Sequence, residues 1–358
     1  DEVFISDVDA TSNTSKCSMG YDPVNNKVFA ISQEGTSDYV LKGYIGTVTG
    51  GTTNSISFAG DATIHDPSNF IIQHAMAYNV DQEKFFVFYT DRDDGNDLKY
   101  RIITTGASSF SVANAVEVTT AEQKLHSQSA IGGPSGKGIL LAGQAQDDND
   151  YLTYVTLNYF AQISYGSENS SEIGYVQYPE IAYDSTAAKH VSVYRTDASP
   201  SYGYARIGTV SGTTISFGDQ VMFSDSVVIS EPTLATTNTG AVAVQYINTG
   251  DNNRPYLVYG KISGTTVSFG TPFDLETTTG SNGSTSAVQA IGYNPDYGRF
   301  VSHAYGDNDG DNMIYTTSAL GPNSENFVGI ATKTVANDAQ AEIVVMGGEQ
   351  SGYTGLTA

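Results

Sequence analysis

At 358 residues and a formal net charge of -23, the chain has the bulk for one large repeat domain or two ordinary ones. The acidity argues against nucleic acid and anionic membrane surfaces as partners, since both reward Lys and Arg. Only 15% of the residues are charged, no stretch is apolar enough for a membrane-spanning helix, and Cys17 is the single cysteine, so an all-β fold of short strands without internal disulfides is expected.

In chain order, Asp1-Glu2-Val3-Phe4-Ile5-Ser6-Asp7 reads as a strand. A first unit opens near Ser18 with the anchor Gly20-Tyr21-Asp22 and closes in a hairpin from Ile45 to Phe58. A second opens near His74 with Ala77-Tyr78-Asn79 and carries the acidic turn Asp91 to Asp97. The third opens near Gln128, with a degenerate anchor near Gly132 and the turn Asp147-Asp148-Asn149-Asp150. The fourth is the most legible: strands Tyr178–Tyr183, His190–Arg195, Tyr202–Val210 and Ile215–Phe223 alternate with turn signals. The fifth opens near Pro232, turns at Asp251-Asn252-Asn253 and ends in a hairpin from Ile262 to Phe269 that echoes Ile207 to Phe217. The sixth opens near Ser286 with Gly292-Tyr293-Asn294, turns at Asp307-Asn308-Asp309-Gly310-Asp311-Asn312, and has a third strand at Met313–Thr317 but no fourth.

Units of four strands recurring at roughly 50-residue intervals predict a six-bladed β-propeller over residues 1–320. The fourth strand missing from the last unit is found at the other end, because Asp1 to Asp7 matches Asp219 to Asp225, the outer strand of unit four. Residues 1–8 are therefore expected to close the ring as the outer strand of the last blade. A solenoid or a string of sandwiches is the rival architecture. From Gly321 the pattern changes, and 321–358 is expected to be a short C-terminal β extension for attachment or assembly.

The hairpin Ser211-Gly212-Thr213-Thr214-Ile215-Ser216-Phe217-Gly218, the element Glu325-Asn326-Phe327-Val328-Gly329-Ile330-Ala331 and the closing Ser351-Gly352-Tyr353-Thr354-Gly355-Leu356-Thr357 together resemble repeat-rich tail-fibre and adhesin-like structural proteins of tailed phages. The resemblance covers nearly the whole chain through short motifs. It implies an extracellular, virion-surface protein that contacts a host-surface saccharide or another fibre or virion protein, commonly as a trimer.

Propeller binding sites favour the rim formed by the turns between second and third strands and by the links between blades. Here those turns carry Asp91, Asp93, Asp94, Asp97, Asp147, Asp148, Asp150 and Asp251, flanked by tyrosines including Tyr89, Tyr151, Tyr202, Tyr256 and Tyr305, which are the expected ligand contacts. No cofactor is required, although the spacing of Asp307, Asp309 and Asp311 suits Ca2+; Asn312 and Ser318 stand where an EF-hand needs Gly and Glu. Turn chemistry alone also favours Asp, Asn and Gly at these places. A second set, Gln73, His74, Gln128, Glu180, Glu231 and Gln289, is expected where the inner strands enter the ring, at one mouth of the central channel. Glu180 and Glu231 would there suit a glycoside hydrolase, but Trp is absent and no catalytic signature accompanies them. The expected function is non-catalytic recognition, with a pure spacer or decoration subunit as the alternative.

Overall fold

The computed structural model describes residues 17–34, 40–49, 55–66, 74–80, 82–91, 94, 97–117, 125–132, 139–145, 152–159, 163–165, 169–170, 176–196, 200–211, 214–275, 290–295, 298–305, 312–318, 330–331 and 343–344, with backbone alone at 17, 34, 55, 97, 125–170, 214 and from 303 onward. Every described element is a strand or a turn apart from a single 3-10 position at Asp94. The first sheet runs β1 (Cys17–Asp22), β2 (Lys27–Glu34), β3 (Val40–Thr49), β4 (Ser55–His65). The second contains β5 (His74–Asn79), β6 (Lys84–Asp91), β7 (Asp97–Thr105), β8 (Phe110–Val112) and β9 (Val116–Glu117). The third contains β10 (Leu125–Gly132), β11 (Ile139–Ala145), β12 (Leu152–Tyr159), β13 (Ile163–Tyr165) and β14 (Asn169–Ser170). The fourth contains β15 (Val176–Asp184), β16 (Lys189–Thr196), β17 (Gly203–Ser211), β18 (Thr214–Phe217) and β19 (Val221–Met222). The fifth contains β20 (Ile229–Thr236), β21 (Ala241–Asn248), β22 (Arg254–Ser263), β23 (Thr266–Phe269) and β24 (Phe273–Asp274). β25 (Ala290–Asn294), β26 (Arg299–Tyr305) and β27 (Asn312–Ser318) form the sixth, and β28 (Ile330–Ala331) pairs with β29 (Ile343–Val344).

Within each of the six sheets the strands pair antiparallel with their sequence neighbours, except that β9, β14, β19 and β24 pair with β7, β12, β17 and β22. The described turns before the second strands end on a left-handed residue, Asn26, Glu83, Ala188, Gly240 and Gly298, the geometry a tight hairpin needs. Sheets then stack face on face. Phe29, Ile31, Leu41 and Ile64 of the first pack on Phe85, Val87, Tyr89 and Ile103 of the second. Val191, Val193 and Phe223 of the fourth pack on Val242, Val244 and Tyr246 of the fifth, and Phe300 of the sixth packs on Ala243, Leu257 and Leu275 of the fifth. A second strand buried on both faces reads as a continuous apolar run, as in Phe85 to Tyr89, and each such side chain contributes roughly 2–3 kcal/mol of transfer free energy.

The first and sixth sheets differ. Gly20 faces the second sheet, where an added Cβ would meet Phe85 and Met76, so Met19 and Tyr21 point the other way, and they are 65% and 49% exposed. Val301 likewise points away from the fifth sheet and is 39% exposed. Their counterparts by register, Ile181 and Leu234 for Met19 and Val191 and Ala243 for Val301, are buried.

The outer strand departs from expectation. Instead of one strand from Ile215 to Phe223, β18 pairs with the distal half of β17 and β19 pairs with its start, at Tyr204 and Ala205. The break falls at Gly218, whose N–H donates to the Ile207 carbonyl at 2.9 Å, and the fifth sheet repeats it with Gly270 and Tyr259. At Gly218 a Cβ would collide with the carbonyl of Thr265 in the next sheet, whereas at Gly270 it would find ordinary contact, 3.8 Å from the Tyr259 oxygen. Gly218→Ala is accordingly expected to cost about 1–3 kcal/mol in urea denaturation, with Gly270→Ala as a nearly neutral control.

Candidate functional site

Two of the acidic turns have described carboxylates. In the second sheet Asp91 ends β6 opposite Asp97 at the start of β7. It is turned inward, 4% exposed, with Lys99 Nζ at 3.0 Å and His65 Nε2, from the first sheet, at 3.4 Å. The His65 ring stacks on Tyr89 at 4.7 Å, and Arg101 Nε donates to the Tyr89 hydroxyl at 3.3 Å. Burial by itself would raise the Asp91 pKa, but the contacts from His65 and Lys99 outweigh it and hold the carboxyl well below the usual carboxylate range. Lys99 also reaches the exposed Asp94 at 2.6 Å. In the fifth sheet the Tyr256 hydroxyl donates to Asp251 at 2.8 Å, while Arg254 lies 4.0 Å from Asp251 and 2.7 Å from Asp274. Burial and then this hydrogen bond push the Tyr256 hydroxyl up to about 12.

These turns are thus acceptors fixed by partners from their own sheet or the preceding one. The Asp91 carboxylate thereby stays ionised and holds its place. Asp93, Asp147, Asp148, Asp150, Tyr151, Gln73, Gln289, Asp307, Asp309 and Asp311 lie outside the described residues, and Asp97, Gln128 and Tyr305 are described in backbone only. Among the described residues no group of three or more His, Cys, Asp or Glu is placed to hold a metal ion. Tyr89, expected as a ligand contact, is fully buried, as are Tyr194 and Tyr246 at the same register position. Their rings belong to the packing between sheets. Tyr202 and Tyr256 are half-buried.

The inner strands separate the channel-mouth candidates. β10, β15 and β20 each shift register near their starts, between Leu125 and Gln128, Gln177 and Glu180, and Ser230 and Thr233. The residues after the shift correspond, so Gln128, Glu180 and Thr233 share one position. Glu231 instead matches Tyr178, both with left-handed backbone directly before a proline, Pro232 and Pro179. Glu180 and Glu231 therefore do not occupy equivalent places in neighbouring sheets, as a like-for-like carboxylate pair would require. His74, opposite Tyr89, is buried at 2% exposure.

The Tyr-Asp anchors have a role that repetition alone did not disclose. Asp22, with no exposed surface, accepts from Tyr78 Oη at 2.6 Å and Thr105 Oγ1 at 2.5 Å, both in the second sheet, and from Asn25 and the backbone of its own turn. Asp184 repeats this between the fourth and fifth sheets, accepting from Ala187 N at 2.7 Å and Gly240 N at 2.8 Å. They are staples from one sheet to the next.

One cleft, about 380 Å³, opens between the outer strands of the fourth and fifth sheets. Its walls are Met222, Phe223, Phe269 and Pro272, and Asp225 and Thr271 stand exposed at its edge. Asp225 and Ser226 are consecutive left-handed residues in the link to β20, and that link is tied to the fifth sheet's rim turn through Thr249 N and Val228 O at 3.0 Å. The matching of Asp7 with Asp225 had marked this link as a repeat feature. Nothing in the local sequence announced the cleft, because its second wall comes from residues 269–272.

No protein-family model matches the chain, and neither does any curated protein. Solved structures do. The BP39L lectin of Burkholderia pseudomallei is 8% identical with a TM-score of 0.58 over 86% of this chain and 97% of that one. The Pseudomonas aeruginosa periplasmic gluconolactonase PpgL is 11% identical, with a TM-score of 0.54 over 86% of each chain. The Aleuria aurantia lectin, a six-bladed β-propeller with a fucose recognition mode, is 12% identical, with a TM-score of 0.50 over 85% and 92%. The chain is an all-β propeller, and its fold is one that lectins and lactonases share.

Proposed function

We propose that the protein is a non-catalytic recognition module that binds saccharide through one rim of a six-bladed propeller. The observation that carries this reading is the rim itself: at Asp94 and Asp251 solvent-reaching carboxylates are held by Lys99 and Tyr256 as positioned hydrogen-bond acceptors for hydroxyl groups. A general acid would need a carboxyl that keeps its proton near neutrality, and Asp91 is shifted the opposite way.

In this reading residues 1–320 form the ring, with 1–8 as the outer strand of the last blade. Residues 321–358 serve attachment. The exposed apolar faces at Met19 and Tyr21 and at Val301 support closure, because a ring would bring these two faces together. In this reading, which the resemblance to tail-fibre proteins supports, the module sits on a virion surface and meets a host saccharide. A glycan array run with and without Ca2+ tests the proposal. Selective binding that falls at least tenfold on Asp94→Ala with Asp251→Ala is expected; a blank array leaves a spacer or decoration subunit, and reducing-sugar release lost on Glu180→Gln would make the protein a hydrolase.

A further inference from the structure

We propose that the cleft between the fourth and fifth blades is a monosaccharide-binding site selective for uncharged and amino pyranoses over acidic ones. The inference rests on the recognition reading above and assigns it a place and a ligand class. At about 380 Å³ the cleft is near the small end of ligand sites, room for one sugar ring with its solvent rather than a long oligosaccharide. The half-buried Met222, Phe269 and Pro272 offer an apolar wall to the C–H face of a pyranose, and Phe223 beneath them is fixed by packing on Phe269 and Tyr246 at ring distances of 5.8 and 5.7 Å.

The polar side of the cleft is Asp225, an acceptor-only group that suits ring hydroxyls or an ammonium and repels a carboxylate or sulfate. Among the described residues that line it there is no Lys, Arg or His to offset that charge. The net charge of -23 adds to the same discrimination. Asp225 and Ser226, both left-handed, are the central pair of a tight turn closed by Val227 N donating to Ser224 O at 3.0 Å, which sets where the Asp225 carboxylate stands at the cleft edge.

The test is titration calorimetry or saturation-transfer NMR of the full chain with glucosamine, N-acetylglucosamine, glucuronate and N-acetylneuraminate. Glucosamine and N-acetylglucosamine are expected to bind, and the two acids at least tenfold more weakly. Asp225→Asn should weaken glucosamine about tenfold while changing N-acetylglucosamine far less. Thr271→Trp, at an exposed position, should fill the cleft and abolish both without disturbing the core, which the melting temperature checks independently. Equal binding of glucuronate and glucosamine overturns the proposal. Binding unchanged in Thr271→Trp overturns it too and places recognition elsewhere on the rim, whereas a wild-type chain that binds nothing on a broad glycan array removes the recognition reading itself.

Discussion

Asp22→Ala is expected to lower the free energy of unfolding by about 3–5 kcal/mol and the melting temperature by roughly 10 °C. The carboxylate has no exposed surface and accepts from Tyr78, Thr105, the Asn25 amide and two backbone N–H groups. Alanine leaves these donors without their acceptor, at about 1–3 kcal/mol for each one that water cannot reach. The loss is also one of architecture, because Tyr78 and Thr105 belong to the second blade while Asp22 belongs to the first. Asp22→Asn, which keeps one acceptor oxygen but brings an N–H₂ towards existing donors, should recover only part of the loss.

The same group sets the acid limb of the stability curve. Burial opposes its ionisation, yet the hydrogen bonds from Thr105, Tyr78 and Asn25 bring its pKa down to about 2. The unfolded value is about 3.9, so this contribution is complete above that pH and is lost as pH falls towards 2, roughly 2.5 kcal/mol in all. His190 acts in a higher window. It is buried, and burial alone pushes its pKa down to about 4, so below about 6.5 the unfolded chain takes up a proton that the folded chain refuses. Urea denaturation at pH 7, 5 and 3 separates the two. The wild type should weaken across both intervals; His190→Phe should lose much less across the upper one and somewhat less across the lower one, where His190 still titrates down to about 4, while Asp22→Ala should match the wild type across the upper interval and lose only part as much across the lower. Phe is the natural replacement, since Phe85 and Phe300 hold the corresponding register positions in the second and sixth blades.

The blade pattern was legible because strand alternation and turn residues are local, and every blade repeats them. The Gly-Tyr-Asp and Ala-Tyr-Asp anchors were visible as repeats for the same reason. That Asp22 and Asp184 join one blade to the next was not, since their partners Tyr78, Thr105 and Gly240 lie a blade away in the chain. Tyr89 beside an acidic turn read as a ligand contact, yet its position in the second strand turns its ring into the packing against His65. Glu180 and Glu231 looked equivalent by residue type alone. Aligning Pro179 with Pro232 would have separated them, and the register shift in each inner strand makes the reason physical: Glu231, like Tyr178, is a left-handed residue inside the irregularity, whereas Glu180 is the first residue back in register. The cleft could not be read at all, because it exists only where residues 221–225 and 269–272 meet.

Removal of residues 1–8 is expected to unfold the ring or drive it into oligomers, with a loss larger than that of Asp22→Ala. Three of the described outer strands have a buried apolar residue within one residue of their end, Ile64 in the first blade, Phe223 in the fourth and Leu275 in the fifth. Phe223 N donates to Gly203 O at 3.0 Å and Leu275 N to Pro255 O at 2.9 Å, which fixes where along the third strand that residue falls. Matching Asp1–Asp7 to Asp219–Asp225 gives this place to Ile5. In the fourth blade Met222 lies opposite Tyr204, and Met313 is the residue of the sixth blade that corresponds to Tyr204. On that matching Phe4 is the expected partner of Met313. A Phe4→Cys, Met313→Cys pair in a Cys17→Ser background should form a disulfide under mild oxidation within one chain, because directly opposed antiparallel residues stand at the Cα separation a disulfide spans. Ile5→Asp should mimic the deletion and Ile5→Phe should not. A cross-link found only between chains would mean that the strand is donated to a neighbour's last blade. No cross-link, together with an unchanged melting temperature on deletion, would leave the faces at Met19 and Val301 to be covered by something other than each other.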